Sequence, residues 1–322
     1  MSSGVGTAQV YADEVHAPYD LRQRNIGLAT QALIEILPGS FHIDHADAPL
    51  DYATFTHLHV VGGFSQGMGD AVMGIGLLDY VRQQYGTQIH VFLAHSMPDF
   101  VYEIYQLAQQ QGIVQSVQHL PCALNIVAGD ATATAVADLS DLFGHVFRDG
   151  PIIDLYARAL GLNPAVVPLQ FKRPGWLKTW VAARPISRPP YCLWVSQSRE
   201  AFKSVPSQVI ADAIHTLVQR RGMTVYGFDA DIELPGYQNI RAQSTNAMAL
   251  INLIAHAEAV YSVDTAAMHI AAGCEVPTTA FVVTPYWQTW CEYYLDQNRF
   301  KAVPLTETTP SAWRAALNAA MS

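Results

Sequence analysis

From residue 57 onward the chain alternates short apolar runs with longer stretches of helical period. His57–Val61 reads as a buried strand, Gly62–Gly67 as a tight Gly-rich turn, and Asp70–Tyr85 as a helix. Ile89–Leu93 reads as a second strand, Asp99–Gln111 as a helix ended by Gly112, and Val114–Leu120 as a third strand. Ile152–Leu160 is a short helix closed by Gly161. The alternation restarts at Tyr191–Val195 (strand), with a helix opened by Pro206, running to Arg221 and stopped by Gly222. The remaining pattern gives Thr224–Tyr226, Ala259–Val263 and Thr278–Val283 as strands. Met248–Ala257, Thr265–Ala272 and Ser311–Met321 read as helices. Strands alternating with helices imply βαβ units and mostly parallel sheets.

Two such regions flank a Pro-rich stretch. Residues 163–190 carry Pro164, Pro168, Pro174, Pro185, Pro189 and Pro190, with a potential helix over Trp176–Ala183. Residues 1–56 are different: polar, Pro- and Gly-bearing segments surround a helix predicted over Asn25–Leu37. The organisation expected is an N-terminal extension (1–56), a Rossmann-like domain (57–165), a linker (166–190) and a second Rossmann-like domain (191–322). In an α/β protein of this kind the two mostly parallel sheets face a central cleft, and ligands bind at the C-terminal strand ends.

Composition narrows the function. Half of the 322 residues are hydrophobic and 14% are charged, which excludes a disordered chain. The net charge of −9 argues against a nucleic-acid binder. The charge is uneven: residues 1–150 hold four basic and fifteen acidic side chains. An anionic ligand therefore belongs on the C-terminal half. No apolar run is long enough to span a membrane, and the N-terminus lacks a signal-peptide pattern. Cys122, Cys192, Cys274 and Cys291 are widely spaced with no CxxC, so neither zinc site nor disulfide framework is indicated. A cytoplasmic location is expected.

Three segments carry candidate chemistry. Ser65-Gln66-Gly67-Met68-Gly69-Asp70 joins a strand to a helix. Its glycines allow close backbone approach, and Asp70 either caps the helix or faces the cleft as a functional carboxylate. It is not a dinucleotide fingerprint, because Val72 stands where the third glycine is required. Ser196-Gln197-Ser198-Arg199 to Lys203 and Pro206 follows the first strand of the second half. Its hydroxyls and two cations suit a pyrophosphate, or form a solvated loop. Tyr261-Ser262-Val263-Asp264-Thr265-Ala266-Ala267-Met268-His269 again runs from strand to helix. It is an anion site at a helix start, or an Asp-capped helix with a structural His269. Asp229-Ala230-Asp231 matches a metal-binding D-x-D by chance spacing. His42, Asp44, His45, His57 and His59 show no compact ligand spacing, and His57 and His59 share one strand face as structural groups. Trp287 and Trp290 read as packing.

In this order the three segments resemble glycosyltransferase family 9, the ADP-heptose:lipopolysaccharide heptosyltransferases. Gly69-Asp70, preceded by Met68, match the family's first turn. Ser198, Lys203 and Pro206 match its second-half loop. Asp264, Thr265 and His269, with Ala271-Ala272 and Pro277, match its Asp-Thr-Gly-x-x-His motif. The similarity covers residues 57–322 and is strongest over 245–285. It implies a GT-B fold and an inverting, metal-independent sugar transfer from a nucleoside diphosphate donor, ADP-linked, with no further cofactor. By the same resemblance Asp70 is the general base, on the acceptor-side turn of Gly67, Met68 and Gly69. Ser196, Ser198, Arg199, Lys203, Asp264, Thr265, Ala266 and His269 form the nucleotide-sugar site.

The chain departs from the family at Ala266, which replaces the motif glycine. It also departs at Gly63-Phe64, where the family carries an Arg, and in the added extension. Residues 57–150 hold two basic and eight acidic side chains, a field that repels a densely anionic acceptor. The acceptor expected is a neutral or weakly charged glycan, a protein hydroxyl or a small molecule. The extension is a candidate to cover a sheet edge or to build a homo-oligomer contact. The competing readings are a non-catalytic GT-B-like binding or scaffold protein, and a GT-B enzyme using another nucleotide sugar.

Overall fold

The computed structural model describes residues 7–23, 30–37, 40–42, 49–140, 142, 150–184 and 188–321. The chain divides into two compact units, residues 1–172 and 173–322. The boundary falls inside the Pro-rich stretch.

The first unit contains β1 (Gln9–Tyr11), β2 (Glu14–His16), β3 (Gln31–Ala32), β4 (Ser40–His42), β5 (His57–Val61), β6 (Gln88–Leu93), β7 (Ser116–His119), β8 (Cys122–Ala123) and β9 (Thr134–Asp138). Among the described residues, β4-β9-β5-β6-β7 form a five-stranded sheet in which every pairing is parallel. β5 leads through the Met68–Tyr85 helix to β6 on one side, while β4 and β9 lie on its other side, so the strand order reverses at β5. Such a switch point leaves a crevice at the C-terminal strand ends.

The N-terminal extension is part of this unit. β4 adds the sheet's edge strand beside β9. A small antiparallel sheet, β3-β1-β2-β8, packs Ala8, Val10, Val15 and Leu33 against Val61, Phe92 and Val136. Val61 is on the same strand face as His57 and His59, since side chains alternate. The extension thus covers the sheet face carrying His57, His59 and Val61.

The predicted Asn25–Leu37 helix is corrected. Its described part is the two-residue β3 and the single helical turn Leu33–Ile36. Residues 25–29 lie outside the described residues. β1 pairs with both β2 and β3, and that pairing decides the conformation over local helix preference.

The second unit contains β10 (Tyr191–Val195), β11 (Thr224–Gly227), β12 (Tyr237–Asn239), β13 (Ala259–Val263), β14 (Thr278–Val282) and β15 (Phe300–Pro304). Among the described residues they form one parallel sheet, ordered β12-β11-β10-β13-β14-β15. Its switch point lies between β10 and β13. The Ser207–Arg221 and Pro310–Met321 helices cover one face through Val209, Ile214, Leu217, Trp313 and Leu317, which meet Trp194, Tyr261 and Phe281. β10 and β13 are buried along their whole length, as expected of central parallel strands.

Among the described residues, β1 to β4, β8, β9, β12 and β15 escape the sequence pattern. β9 carries its buried face largely on Ala135 and Ala137, too small to stand out as an apolar run. β12 is a three-residue edge strand, and β15 ends in Pro304, which an edge tolerates. The segment 166–190 is not a free tether. Within it lie the short helices Leu169–Lys172 and Leu177–Ala182, with Leu177 and Trp180 buried.

Candidate functional site

In the first unit, the turn after β5 sits at the switch point. Gly62 and Gly63 adopt φ of +89° and +67°. A Cβ on Gly62 would lie 2.7 Å from the Ser140 hydroxyl, so the turn packs directly on the loop that follows β9. Ser65 holds φ at +126°, a backbone state that costs a non-glycine residue about 1–3 kcal/mol. Its Oγ accepts the Gly67 N–H at 2.9 Å, which helps to hold the strained turn. Tyr105, from the Asp99–Gln110 helix, accepts the Phe64 N–H at 2.9 Å. Burial raises the Tyr105 phenol far above its ordinary range, and the nearby Asp70 charge adds to this, so it stays protonated.

The helix after this turn is Met68–Tyr85, and its N-cap is Gly67. Asp70 is therefore not the cap. It occupies the first turn, where the helix dipole favours a carboxylate. The Tyr156 hydroxyl donates to Asp70 Oδ1 at 2.8 Å, across 86 residues of sequence. A Cβ at Gly67 would fall 2.3 Å from Asp70 Oδ2, so this carboxylate lies over the glycine. Gly67 has an extended backbone that any residue adopts, so close approach and not turning explains it. Met68 and Gly69 are the first helical residues.

In the second unit the loops after β10 and β13 converge. The Lys203 Nζ lies 2.7 Å from Asp264 Oδ2, with both side chains largely buried. The Ser198 hydroxyl donates to the Asp264 carbonyl at 3.3 Å. The Ser198 N–H is held by Ser204 Oγ at 3.0 Å. Thr265 is the N-cap of the Ala266–Gly273 helix: its hydroxyl accepts the Ala267 N–H at 3.2 Å and meets Ser262 Oγ at 3.1 Å. The cap is Thr265 and not Asp264, whose side chain is given to Lys203. Ala266 opens the helix. The arrangement gathers an ammonium, hydroxyls and a helix N-terminus, the groups that hold an anion.

His269 lies within that helix and is buried. Its Nδ1 is 3.1 Å from the Tyr294 hydroxyl. Burial pushes its pKa down to about 4, so the ring is neutral at pH 7 and contributes no positive charge. Ser196 donates to Asp229 Oδ1 at 2.5 Å. Burial raises the Asp229 pKa, against the opposing hydrogen bonds of Ser196 and Gln197. Asp231 is more exposed, so the D-x-D pair does not act as one unit. Arg199 is exposed, 3.7 Å from its neighbour Glu200, and outside this network.

Trp290 and Phe202 flank Lys203, their ring centroids 5.6 Å and 6.0 Å from its Nζ. Sequence reading took Trp290 for packing, gave Ser65 and Phe202 no role of their own within the candidate segments, and passed over Tyr105 and Tyr156. Phe202 beside the candidate lysine was the one available signal. The tyrosines carry none, because their partners are distant in sequence.

His57 and His59 join His90 on one sheet face. His57 Nδ1 is 3.3 Å from His90 Nε2, and His59 Nδ1 is 2.7 Å from the Val127 carbonyl. Burial, with the two neighbouring histidines, lowers the His90 pKa to about 4. Among the described residues no three His, Cys, Asp or Glu side chains converge as metal ligands would. Asp44 and His45 lie outside those residues. None of the described helices is long and apolar enough to cross a membrane.

No protein-family model and no curated protein matches the sequence. Solved structures do match the three-dimensional arrangement. E. coli heptosyltransferase WaaC, solved with ADP-2-deoxy-2-fluoro heptose, aligns at a TM-score of 0.52 and 13% identity. The alignment covers 82% of this chain and 99% of that one. E. coli ADP-heptose LPS heptosyltransferase II aligns at 0.53 and 16% identity, over 82% of this chain and 98% of its own. The fold is GT-B. At such identities the likeness is one of fold, and the GT-B architecture hosts many chemistries. The site residues must carry the functional argument.

Proposed function

We propose that the protein is an inverting glycosyltransferase that moves a heptose-like sugar from a nucleoside diphosphate donor to a hydroxyl acceptor. The observation that carries this reading is the second unit's switch point. There Lys203 is fixed by Asp264 beside Ser198 and a Thr-capped helix start. The ammonium has three protons and spends one on Asp264, which leaves it able to bind a diphosphate. The ADP-2-deoxy-2-fluoro heptose in the WaaC structure supports an ADP-linked donor.

Asp70 takes the acceptor's proton in this reading, with Tyr156 fixing the carboxylate through Oδ1. The freed oxygen attacks the anomeric carbon as the bond from that carbon to the phosphate oxygen breaks. A single displacement inverts the centre. The nucleoside diphosphate leaves with its charge met by Lys203, the Ser198 hydroxyl and the backbone N–H groups at 265–267. Every group in this scheme is a side chain or backbone N–H of the chain, so the scheme routes no step through a metal. Asp264 positions Lys203 and orients donor hydroxyls. The acceptor is neutral or weakly charged, since the first unit's turn carries a carboxylate and no cation. Four free cysteines support a reducing, cytoplasmic setting.

The test is calorimetric binding of ADP, GDP and UDP to the wild-type chain and to Lys203→Ala. Selective ADP binding that the variant loses supports the reading. Preference for UDP or GDP moves the donor. No binding to any of the three favours a scaffold protein, the reading that Ala266 in the glycine's place would suit.

A further inference from the structure

We infer that the C-terminal edge of the first sheet carries a docking platform for a neutral glycan, formed by Tyr102, His119 and His95. The inference rests on the proposed transfer reaction for its meaning, and on the first unit alone for its geometry. Tyr102 stacks on His119, with ring centroids 4.3 Å apart and planes inclined by 14°. His95 stands edge-on to His119 at 5.8 Å and 73°. His95 and His119 are exposed and Tyr102 is half-buried, so the stack is not part of either core.

The platform is held in place. Asp20, from the N-terminal extension, accepts the His95 N–H at 2.9 Å and the Ser96 N–H at 3.3 Å. That fixes the loop after β6. His119 ends β7, and Tyr102 is anchored in the Asp99–Gln110 helix. A rigid aromatic surface loses little conformational entropy when a ligand docks.

Its position is fixed by the topology. β5, β6 and β7 are parallel neighbours, so the turn bearing Asp70, the loop bearing His95 and the end bearing His119 open at one edge. Adjacent strands lie about 4.8 Å apart, which puts the platform's strands within about 10 Å of the strand that precedes Asp70. That span is comparable to a disaccharide. The helix that carries Tyr102 also carries Tyr105, whose hydroxyl holds the Phe64 N–H in the Asp70 turn. Platform and carboxylate therefore belong to one braced structure.

The ligand class follows from charge and shape. The described side chains of the four loops at this edge (62–70, 94–99, 119–123 and 139–140) include Asp70 and Asp99 but no Lys or Arg. Asp138, at the end of β9, is committed to the N–H groups of Ala8 and Ser140. An anionic chain would meet these carboxylates with no cation from the described loops to offset them. A neutral pyranose offers an apolar C–H face to the electron-rich face of a ring, and hydroxyls to the imidazoles and carboxylates around it.

The purified full chain is applied to an array of neutral, uronate-bearing and phosphorylated oligosaccharides. Calorimetry follows on the neutral glycan retained best. Neutral glycans should be retained. Tyr102→Ala and His119→Ala should each weaken binding about tenfold, while Tyr102→Phe keeps the ring and the affinity. Retention of anionic glycans in preference, retention of no neutral glycan, or unchanged affinity in both alanine variants overturns the platform. Nucleotide binding is measured on the same samples. Glycan retention without nucleoside diphosphate binding leaves the platform standing and removes the transferase reading. Nucleotide binding without glycan retention does the reverse.

Discussion

The two units use one architecture for opposite electrostatic tasks. Each is a parallel sheet with a switch point beside its central strand, and each places a strand-to-helix turn there. In the first unit the turn presents Asp70, braced by Tyr156 and a strained Ser65, with no lysine or arginine in the described loops around it. In the second unit the equivalent crevice holds Lys203, Asp264 and a Thr-capped helix. The difference teaches that the fold supplies a crevice and a helix N-terminus, while a few loop residues decide whether the crevice gives up or gathers charge. A helix start attracts anions in both cases. The first unit satisfies that preference with its own carboxylate, and the second leaves room for a ligand's phosphate.

The sharpest way to break this contrast is Asp70→Asn. Transfer should fall by about a thousandfold, the scale of general-base loss, with nucleoside diphosphate affinity unchanged. Single-turnover kinetics and calorimetry on one preparation read both, and equal losses in the two would show that the units do not divide the work.

A second effect reads the second unit's stability against pH. His269 has its folded pKa lowered to about 4 from an ordinary 6.5. The neutral ring is the form the fold accepts, so its contribution is complete above pH 6.5 and is lost as pH falls toward 4. That loss is about 3 kcal/mol. Trp176, Trp180, Trp194, Trp287, Trp290 and Trp313 all lie in the second unit, so tryptophan fluorescence follows that unit alone. Urea unfolding at pH 7 and pH 4.5 should show the drop, and His269→Asn should flatten it.

Lys203→Ala should weaken nucleoside diphosphate binding by about 2 kcal/mol, the loss of a charge-assisted contact. It also leaves Asp264 buried without its partner. Lys203→Ala combined with Asp264→Asn should recover stability but not affinity, which separates folding from binding. The smallest effect is Gly67→Ala. The new methyl collides with Asp70 Oδ2, which can swing aside because it is the end of a side chain. The expected result is about a tenfold lower kcat with little change in melting temperature.

Much of the architecture was legible in order and type. His57–Val61, Tyr191–Val195 and Ala259–Val263 are strands at the boundaries read from their apolar runs. β9 was not legible, because Ala135 and Ala137 become buried only through the strands on either side. The Asn25–Leu37 helix failed for the related reason that pairing with β1 outweighs a local helical pattern. Of the site, Asp70, Lys203 and Asp264 were visible as residue types after strands. The pairings were not: Tyr156 is 86 residues from Asp70, and Asp229, read only as part of a chance D-x-D, meets Ser196 33 residues before it.

The sequence by itself determined the alternation of strands and helices, the two halves and the turns where chemistry sits. Local periodicity and glycine placement act over a few residues and need no distant partner. Only the tertiary structure decided that the extension covers the first sheet. The same holds for Thr265 capping the helix while Asp264 turns to Lys203, and for His269 being neutral. Burial and charge pairing depend on which residues meet, and those meetings are fixed by the order of strands in the sheet.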